Sequence, residues 1–288
     1  MSNKISISKL KAVLELTRFE HGILYGLAVF VGVILVTGLQ ALPLFPALLG
    51  FFTALFIEIG AFALNDYIDL PADKINKRQD RPLVRGELER GTAFTISIIA
   101  FIIGNIISIF ISPECFIIAA AFSLLSITYN SKLKNYSVIG NVFIGITMAL
   151  PFIFGALVAG AVNDSILVLS SIVFLIGIGR EMMKDIEDIK GDKATGARTL
   201  PIIVGPKKTT YSIAICYLMG VVISISPIFS FFKAKPIYLS ILIVDIIFLY
   251  VLARILRKQD IDTLRNGRKL TLLGSALALI IFFITALS

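Results

Sequence analysis

Nine separate stretches of about twenty predominantly apolar residues limit what this chain can fold into. A helix rises about 1.5 Å per residue, so about twenty residues cross the roughly 30 Å of hydrocarbon in a bilayer. Because 57% of the 288 residues are hydrophobic and only 16% are charged, a water-soluble domain would lack polar surface. We therefore predict an all-α membrane protein with nine transmembrane helices. The predicted spans are about 19–38, 44–66, 92–111, 114–130, 137–160, 165–184, 209–232, 236–256 and 269–287.

The lysines and arginines indicate which ends of these helices face the cytoplasm. If the N-terminus is placed inside, all of the 27 Lys and Arg residues except Lys233 and Lys235 fall in cytoplasmic segments. This asymmetry is what the positive-inside rule requires of a correct topology. We predict a multi-pass protein of the cell membrane with a cytoplasmic N-terminus. The net charge of +8 follows from this topology, so no nucleic-acid partner is needed to explain it.

Two clusters of acidic residues close the second and the sixth predicted spans, both on the cytoplasmic side. In each cluster three aspartates are spaced i, i+3, i+7, which places them on one face of a helix. The triplets are Asp66, Asp69 and Asp73 in the first cluster and Asp185, Asp188 and Asp192 in the second. Each aspartate of the second triplet follows its counterpart by 119 residues. This fixed offset predicts two four-helix repeats, at about 19–130 and 137–256, plus a ninth helix, within one domain over 1–288.

Three carboxylates on one helix end repel one another unless a cation compensates their charge. Mg²⁺ takes oxygen ligands and typically joins one or two carboxylates to substrate phosphates. All six aspartates are therefore predicted Mg²⁺ ligands, and two such clusters facing each other could hold a diphosphate as a leaving group. Neighbouring bases would bind its phosphates. These bases are Lys77, Arg78 and Arg81 in the first cluster, and Lys184 and Arg198 in the second. The alternative is that these charges are solvated loop residues that serve topology and solubility.

Residues 65–73 read NDYIDLPAD and resemble NDxxDxxxD, a signature of the UbiA superfamily of intramembrane prenyltransferases. Residues 188–192 read DIKGD and resemble the second motif of that superfamily, DxxxD. The resemblance covers essentially the whole chain. It implies a helical bundle with a central cavity open laterally to lipid. It also implies Mg²⁺-dependent transfer of an isoprenoid from its diphosphate to an acceptor. On this basis Asn65, Asp66, Asp69 and Asp188 are the predicted catalytic residues.

Two longer stretches, DKINKRQDRPLVRGELER and GREMMKDIEDIKGDKATGARTLPI, are most similar to a branch of this superfamily, the archaeal digeranylgeranylglyceryl phosphate synthases. That similarity implies geranylgeranyl diphosphate as the donor and geranylgeranylglyceryl phosphate, a lipid-like phosphate, as the acceptor. The product would carry the second ether bond of archaeal membrane lipids.

Three other functions remain open at this stage. An aromatic or quinone-precursor acceptor would keep the metal sites and change only the acceptor pocket. A secondary transporter also uses repeats and intramembrane acids, but its sites tend to lie near the bilayer midplane. A CDP-alcohol phosphotransferase also uses clustered aspartates and Mg²⁺, but the glycine- and arginine-punctuated pattern of that family is absent around both clusters.

Further candidate substrate-binding residues lie at the cytoplasmic ends of other spans. Arg18, at the start of the first span, could contact a phosphate or could snorkel to the headgroups. Tyr129, Lys132 and Lys134 end the fourth span. In the superfamily a tyrosine and a following lysine at this place are associated with the diphosphate region, although an ordinary membrane-interface role would use the same residues. Glu58 lies within the second span, where a buried acid usually has a partner or a function.

Overall fold

The computed structural model of the chain describes residues 2–75, 77–133, 137–230 and 235–287, and these ranges contain helices and no strand. Nine helices among the described residues are long and apolar enough to cross a membrane, as the sequence predicts. They are α2 (Phe19–Thr37), α3 (Leu44–Ile75), α5 (Arg90–Ile109), α6 (Pro113–Ser131), α7 (Ser137–Val158), α8 (Asp164–Thr195), α10 (Pro206–Phe229), α11 (Ile241–Arg257) and α12 (Ile261–Leu287). Three further helices are α1 (Ser2–Leu16), α4 (Pro82–Arg85) and α9 (Leu200–Val204), and a 3₁₀ turn, Pro236–Ser240, precedes α11.

The two helices that carry the aspartates are longer than the predicted spans. Both α3 and α8 contain 32 residues and continue past the predicted ends at 66 and 184. At about 1.5 Å per residue each is close to 48 Å long, which exceeds the hydrocarbon thickness of a bilayer. The fall in hydropathy at the aspartates therefore marks where the helix leaves the apolar region, while the i, i+3, i+7 spacing correctly indicates that the helix continues. α8 ends at Gly196, whose φ of +75° suits a residue without a side chain.

Contacts within the chain divide it into two compact units. The first unit consists of Met1–Phe30, Pro43–Lys132 and Leu157–Gly160, and the second of Val31–Leu42, Leu133–Ala156 and Ala161–Ser288. The first unit contains the Asp66 cluster and the second contains the Asp185 cluster. The internal repeat and the assignment of a single domain stay predictions.

In the first unit, small and polar residues bring α3, α5 and α6 together. A Cβ atom placed on Gly104 of α5 would lie 3.2 Å from the carbonyl oxygen of Thr53 on α3, so only glycine allows this approach. Ser97 Oγ of α5 donates a buried hydrogen bond of 2.9 Å to Gly60 O of α3. Asn105 Nδ2 donates to Ser123 Oγ of α6 at 2.9 Å. These contacts fix the helix that carries the first aspartate cluster.

In the second unit, small residues also allow close packing of helices around α8. A Cβ atom on Gly177 of α8 would lie 3.1 Å from Gly145 Cα of α7, and the ring of Tyr217 on α10 lies against Gly179. At its N-terminus, α8 is capped by Asn163, whose Oδ1 accepts from the Ile166 amide at 3.0 Å. The helix that carries the second cluster is therefore packed closely by its neighbours and capped at its start.

Candidate active site

The C-terminal part of α3 carries a hydrogen-bonded chain of amides and a carboxylate. Asn65 Nδ2 donates to Asp69 Oδ2 at 3.0 Å and to Asn130 Oδ1 of α6 at 2.8 Å. Asn130 is buried, and its own Nδ2 donates to Ser126 O at 3.0 Å. Asn130 is absent from the sequence-based prediction. The available signal was a carboxamide at the end of an apolar span, directly after Tyr129.

Asp66, one turn before Asp69, is 2% exposed and faces two arginines. Its Oδ1 lies 3.1 Å from Arg81 Nη1 and 3.6 Å from Arg18 Nη2. Arg81 also approaches Asp73, with 4.0 Å between its Nε and Asp73 Oδ2. The structure thus brings together two predicted metal ligands, Asp66 and Asp73, and two predicted phosphate-binding arginines.

Arg18 follows α1 with a positive φ of 42°, and this backbone turn directs its side chain towards α3. Its guanidinium lies 4.3 Å from the centroid of the Phe62 ring, which is a cation–π contact. Burial lowers the pKa of Arg18 below its usual value, as does nearby Arg81, while Asp66 and Glu58 oppose this shift. Glu58 is buried slightly more than two helical turns before Asp66. Arg18 therefore lies in a polar pocket of α3, rather than extending from the protein as a snorkelling residue would.

Pro71 lies inside α3 between Asp69 and Asp73, and it changes the hydrogen bonding of the motif. A proline lacks the amide proton that would bond the carbonyl of the residue four positions earlier, which is Tyr67. Arg90 of α5 supplies a donor instead, because its Nε lies 3.2 Å from Tyr67 O. The Arg90 guanidinium also lies 4.4 Å from the centroid of the Tyr67 ring. The helix therefore continues through the motif although one internal hydrogen bond is missing.

The loop after α3 holds Arg78 and Arg81 in different surroundings. Arg78 is exposed and forms two hydrogen bonds with Asp80, of 2.9 and 2.8 Å. These bonds lower the pKa of Asp80 to about 2. Lys77 is exposed with a φ of 51°, and the structure does not place it at the aspartates. Of the three predicted bases in this loop, only Arg81 contacts the motif carboxylates through a described ion pair.

Arg85 of α4 fixes this loop to its surroundings. Its Nη1 donates to Gln79 O at 2.8 Å, and its Nη2 donates to Glu87 at 2.7 Å and to Glu15 of α1. Because Gln79 lies between Arg78 and Arg81 in sequence, Arg85 connects the segment predicted to bind phosphate to the N-terminal helix α1.

The residues predicted at the end of the fourth span lie at the end of α6. Tyr129 is half-buried, and Lys132 is an exposed residue at the C-cap. Lys134 lies outside the described residues. The roles predicted for these three residues stay predictions.

The second cluster, on α8, has different partners. Asp185 is buried, and its Oδ2 accepts a 2.8 Å hydrogen bond from Asn141 Nδ2 of α7, which is also buried. Lys184 Nζ pairs with Glu181 at 2.7 Å. Further along the chain, Asp188 and Arg198 are exposed and Asp192 is half-buried. Asn141 is a second residue that the sequence-based prediction missed, although a carboxamide within an apolar span is a signal for a buried polar partner.

The chemistry of the first cluster fits a divalent cation. Within the described part of the chain no three acidic, histidine or cysteine side chains converge to hold a metal ion. Mg²⁺ does not require such a group, because it keeps water and substrate oxygens in its shell. In the described residues neither oxygen of Asp66 accepts a hydrogen bond, and both are buried. Buried carboxylate oxygens with unused acceptor capacity suit a cation that is completed by phosphate oxygens.

Comparison with known proteins decides the family. The UbiA prenyltransferase family matches residues 25–273. The chain belongs to this family. It is 39% identical to digeranylgeranylglyceryl phosphate synthase of Archaeoglobus fulgidus over 95% of this chain and 94% of that one. A solved structure of a digeranylgeranylglyceryl phosphate synthase in membranes aligns with a TM-score of 0.82 and 31% identity, covering 97% of this chain and 99% of that one. A UbiA homologue of Archaeoglobus fulgidus bound to GPP and Mg²⁺ shares the fold at 20% identity, with a TM-score of 0.69 over 96% and 99%.

These findings confirm the predicted family, the all-α membrane fold and the predicted class of enzyme, a membrane prenyltransferase. The roles of the individual aspartates, asparagine and bases are untested by them and stay predictions.

Proposed function

We propose that this prenyltransferase transfers a geranylgeranyl group from geranylgeranyl diphosphate to the glycerol hydroxyl of geranylgeranylglyceryl phosphate. The observation that carries the proposal is the near full-length similarity, at 39% identity, to a relative named digeranylgeranylglyceryl phosphate synthase. The motif sequences support it, because both clusters and the loops that follow them are present in full. By the positive-inside argument, the N-terminus and the active site face the cytoplasm.

The aspartates of both clusters would hold Mg²⁺, and Mg²⁺ when bound would neutralise the diphosphate and make it a better leaving group. Asp66, Asp69 and Asp73 serve in the first cluster and Asp185, Asp188 and Asp192 in the second. Asn65 orients Asp69, to which it donates a hydrogen bond of 3.0 Å. The guanidiniums of Arg18 and Arg81 bind phosphate oxygens, for which their planar forks are suited.

In the reaction, the bond between the allylic carbon and the diphosphate oxygen breaks, and its electron pair stays with the diphosphate. The acceptor hydroxyl oxygen forms the new bond to the same carbon, and its proton passes to the departing diphosphate. Electrostatic stabilisation of the departing diphosphate is the largest contribution expected from the protein, because charge develops there in the transition state.

The test uses the purified full chain in lipid nanodiscs with Mg²⁺ and labelled geranylgeranyl diphosphate. Geranylgeranylglyceryl phosphate and 4-hydroxybenzoate are offered as acceptors in parallel, and products are identified by mass. We expect a Mg²⁺-dependent ether product with the glycerophosphate acceptor only. Replacement of Asp69 or Asp188 by Ala should abolish transfer, whereas the control Asp164→Asn, at the opposite end of α8, should retain it.

Prenylation of the aromatic acid alone would reject the proposed acceptor and keep the metal chemistry. Near-normal turnover in Asp69→Ala or Asp188→Ala would reject the metal assignment.

A further inference from the structure

We propose that Arg81 is an internal counter-cation that occupies the first aspartate cluster in the ligand-free protein and leaves it when a diphosphate arrives. The first cluster would then bind a divalent cation only together with the diphosphate. This inference rests on the proposed function, because it assigns a regulation to the same diphosphate site.

The position of Arg81 is the first observation. Its Nη1 lies 3.1 Å from Asp66 Oδ1, and its Nε lies 4.0 Å from Asp73 Oδ2 and 3.6 Å from Asp80 Oδ2 in its own loop. Asp66 and Asp73 are separated by nearly two turns of α3, and the guanidinium spans the distance between them. It therefore lies where a cation shared by both carboxylates would bind. A divalent cation and this guanidinium would repel each other at such a distance.

The quality of these contacts is the second observation. Both oxygens of Asp66 and the Nε of Arg81 are buried and form no hydrogen bond within the described residues. Asp66 is 2% exposed, so water does not readily supply the missing partners. Buried polar atoms are rarely left unsatisfied, and those that are need an explanation. The ion pair neutralises charge without satisfying its atoms, as expected for a contact that is replaced when ligand oxygens and a metal ion arrive.

Asp185 and Asp188 of the second cluster have different surroundings. The partner of Asp185 is the neutral carboxamide of Asn141, at 2.8 Å. In the described part of the chain no lysine or arginine nitrogen lies within 4.0 Å of Asp185 or Asp188. Lys184 pairs with Glu181 at 2.7 Å and acts on these two aspartates only through its charge at longer range. The two clusters share their aspartate spacing but differ in this respect. The second cluster therefore offers carboxylates to a cation without first displacing an arginine.

The consequence is an order of binding. A cation alone enters the second cluster, whereas the first cluster stays occupied by Arg81. When a diphosphate is present, its oxygens offer Arg81 the bidentate geometry that Asp66 does not provide. The guanidinium then changes partners, and Asp66 and Asp73 become available to the cation. The first site would thus be assembled only around a substrate.

The experiment measures the binding of Mn²⁺, a paramagnetic stand-in for Mg²⁺, by electron paramagnetic resonance. The full chain carries Asp185→Asn, Asp188→Asn and Asp192→Asn, so that only the first cluster keeps its carboxylates. We expect this protein to bind Mn²⁺ with inorganic pyrophosphate present and not without it. Addition of Arg81→Gln should raise the affinity for Mn²⁺ without pyrophosphate on the order of tenfold or more, within the usual range of coupling between two ligands.

Two controls accompany these variants. Arg78→Gln removes an arginine of the same loop that pairs with Asp80 rather than with Asp66, and it should not create Mn²⁺ binding without pyrophosphate. Asp66→Asn added to Arg81→Gln should remove the binding that was gained. Circular dichroism of every variant checks that its helical content is unchanged. Arg81→Lys keeps a positive charge, so its affinity for Mn²⁺ without pyrophosphate should rise less than that of Arg81→Gln.

Equal Mn²⁺ affinity with and without Arg81→Gln, in the absence of pyrophosphate, would overturn the role of Arg81 and leave the proposed metal site intact. Absence of Mn²⁺ binding in every variant, with pyrophosphate present, would overturn the metal site itself and the role of Arg81 with it.

Discussion

Asn130 of α6 accepts a hydrogen bond of 2.8 Å from Asn65 of α3, and the same Asn65 amide donates to Asp69 at 3.0 Å. A residue outside both aspartate motifs thus determines the orientation of a motif carboxylate. Asn130 is buried and is itself held by Ser126 O, so the chain of bonds is fixed at its far end.

We predict that Asn130→Ala lowers kcat about tenfold and raises the Mg²⁺ concentration needed for half-maximal rate. The reason is that Asn65 would lose its acceptor and Asp69 would no longer be held in one position. The cost in unfolding free energy should be about 1 kcal/mol, because the half-buried Asn65 amide loses one of its two acceptors. The Mg²⁺ dependence of prenyl transfer measures the first effect. The control variant Ser131→Ala removes only an exposed hydroxyl and should leave the Mg²⁺ dependence unchanged. If Asn130 had a purely structural role, Asn130→Ala would lower stability without changing the Mg²⁺ concentration needed for half-maximal rate.

The positions of the spans could be predicted because burial in lipid requires long apolar runs, and each run leaves a direct trace in the sequence. The aspartates of each triplet could be placed on one helix face, because residues spaced i, i+3 and i+7 lie on the same side of a helix. The predicted end of the second span at 66 is where hydropathy falls, whereas α3 itself continues to Ile75, as the aspartate spacing indicates. Hydropathy reports on the surrounding solvent, and it does not detect helix ends outside the hydrocarbon.

The partners of the motif residues could not be predicted. Asn130 follows Asn65 by 65 positions and Asn141 precedes Asp185 by 44, and nothing local links these pairs. Their proximity results from how α3 packs on α6 and α7 on α8. The distinction between Arg78 and Arg81, which occupy the same basic loop, also depends on tertiary structure. Both lie near Asp80, but only Arg81 forms a described ion pair with Asp66.

Asn141 provides the second prediction. Replacement of Asn141 by Leu leaves the buried Asp185 without its 2.8 Å hydrogen bond, so we expect the unfolding free energy to fall by about 1–3 kcal/mol. Asp185→Asn in the same protein should recover part of this loss, because a neutral amide costs less to bury than a carboxylate. Thermal unfolding in nanodiscs measures both. An additive effect of the two substitutions would contradict a direct contact.

Pro71 and Arg90 should be energetically coupled through Tyr67 O. Arg90→Met leaves this carbonyl without the 3.2 Å donor, and we expect a loss of about 1 kcal/mol in unfolding free energy. With Pro71→Ala the backbone regains an amide proton that can bond Tyr67 O, so Arg90→Met should then cost less. Thermal unfolding of the unsubstituted chain, the two single variants and the double variant measures the coupling free energy between Pro71 and Arg90. An equal cost of Arg90→Met in both backgrounds would show that Arg90 does not replace the missing helix bond.

The pair formed by Arg78 and Asp80 should hold over a wide pH range. The pKa of Asp80 is about 2 in the folded chain, below the ordinary value of 3.8, because Arg78 donates hydrogen bonds to it. A depressed pKa contributes stability that is present above the unfolded value and is lost as pH falls through the folded value. Asp80→Asn should therefore increase hydrogen exchange of the loop 77–87, relative to the unsubstituted chain, by the same factor at about pH 3.5 and at pH 8. A difference between these two conditions would mean that Asp80 titrates near its ordinary pKa or above it.

Glu15 should influence donor binding although it belongs to α1, far from the motifs in sequence. Its carboxylate accepts a hydrogen bond from Arg85, which also holds Gln79 O at 2.8 Å beside the segment carrying Arg81. We predict that Glu15→Gln raises KM for geranylgeranyl diphosphate severalfold and leaves kcat within about twofold, because the loop becomes less ordered before the diphosphate binds.

The partly exposed pair should contribute only about 0.2–1 kcal/mol to global stability, so the kinetic effect should exceed what unfolding would explain. Lys11→Gln is the matched control. It lies on the same helix, 3.8 Å from Glu15, with a side chain that is 79% exposed, and it should change neither constant. A fall in kcat with unchanged KM in Glu15→Gln would place the effect in the chemical step and contradict the role assigned to this contact.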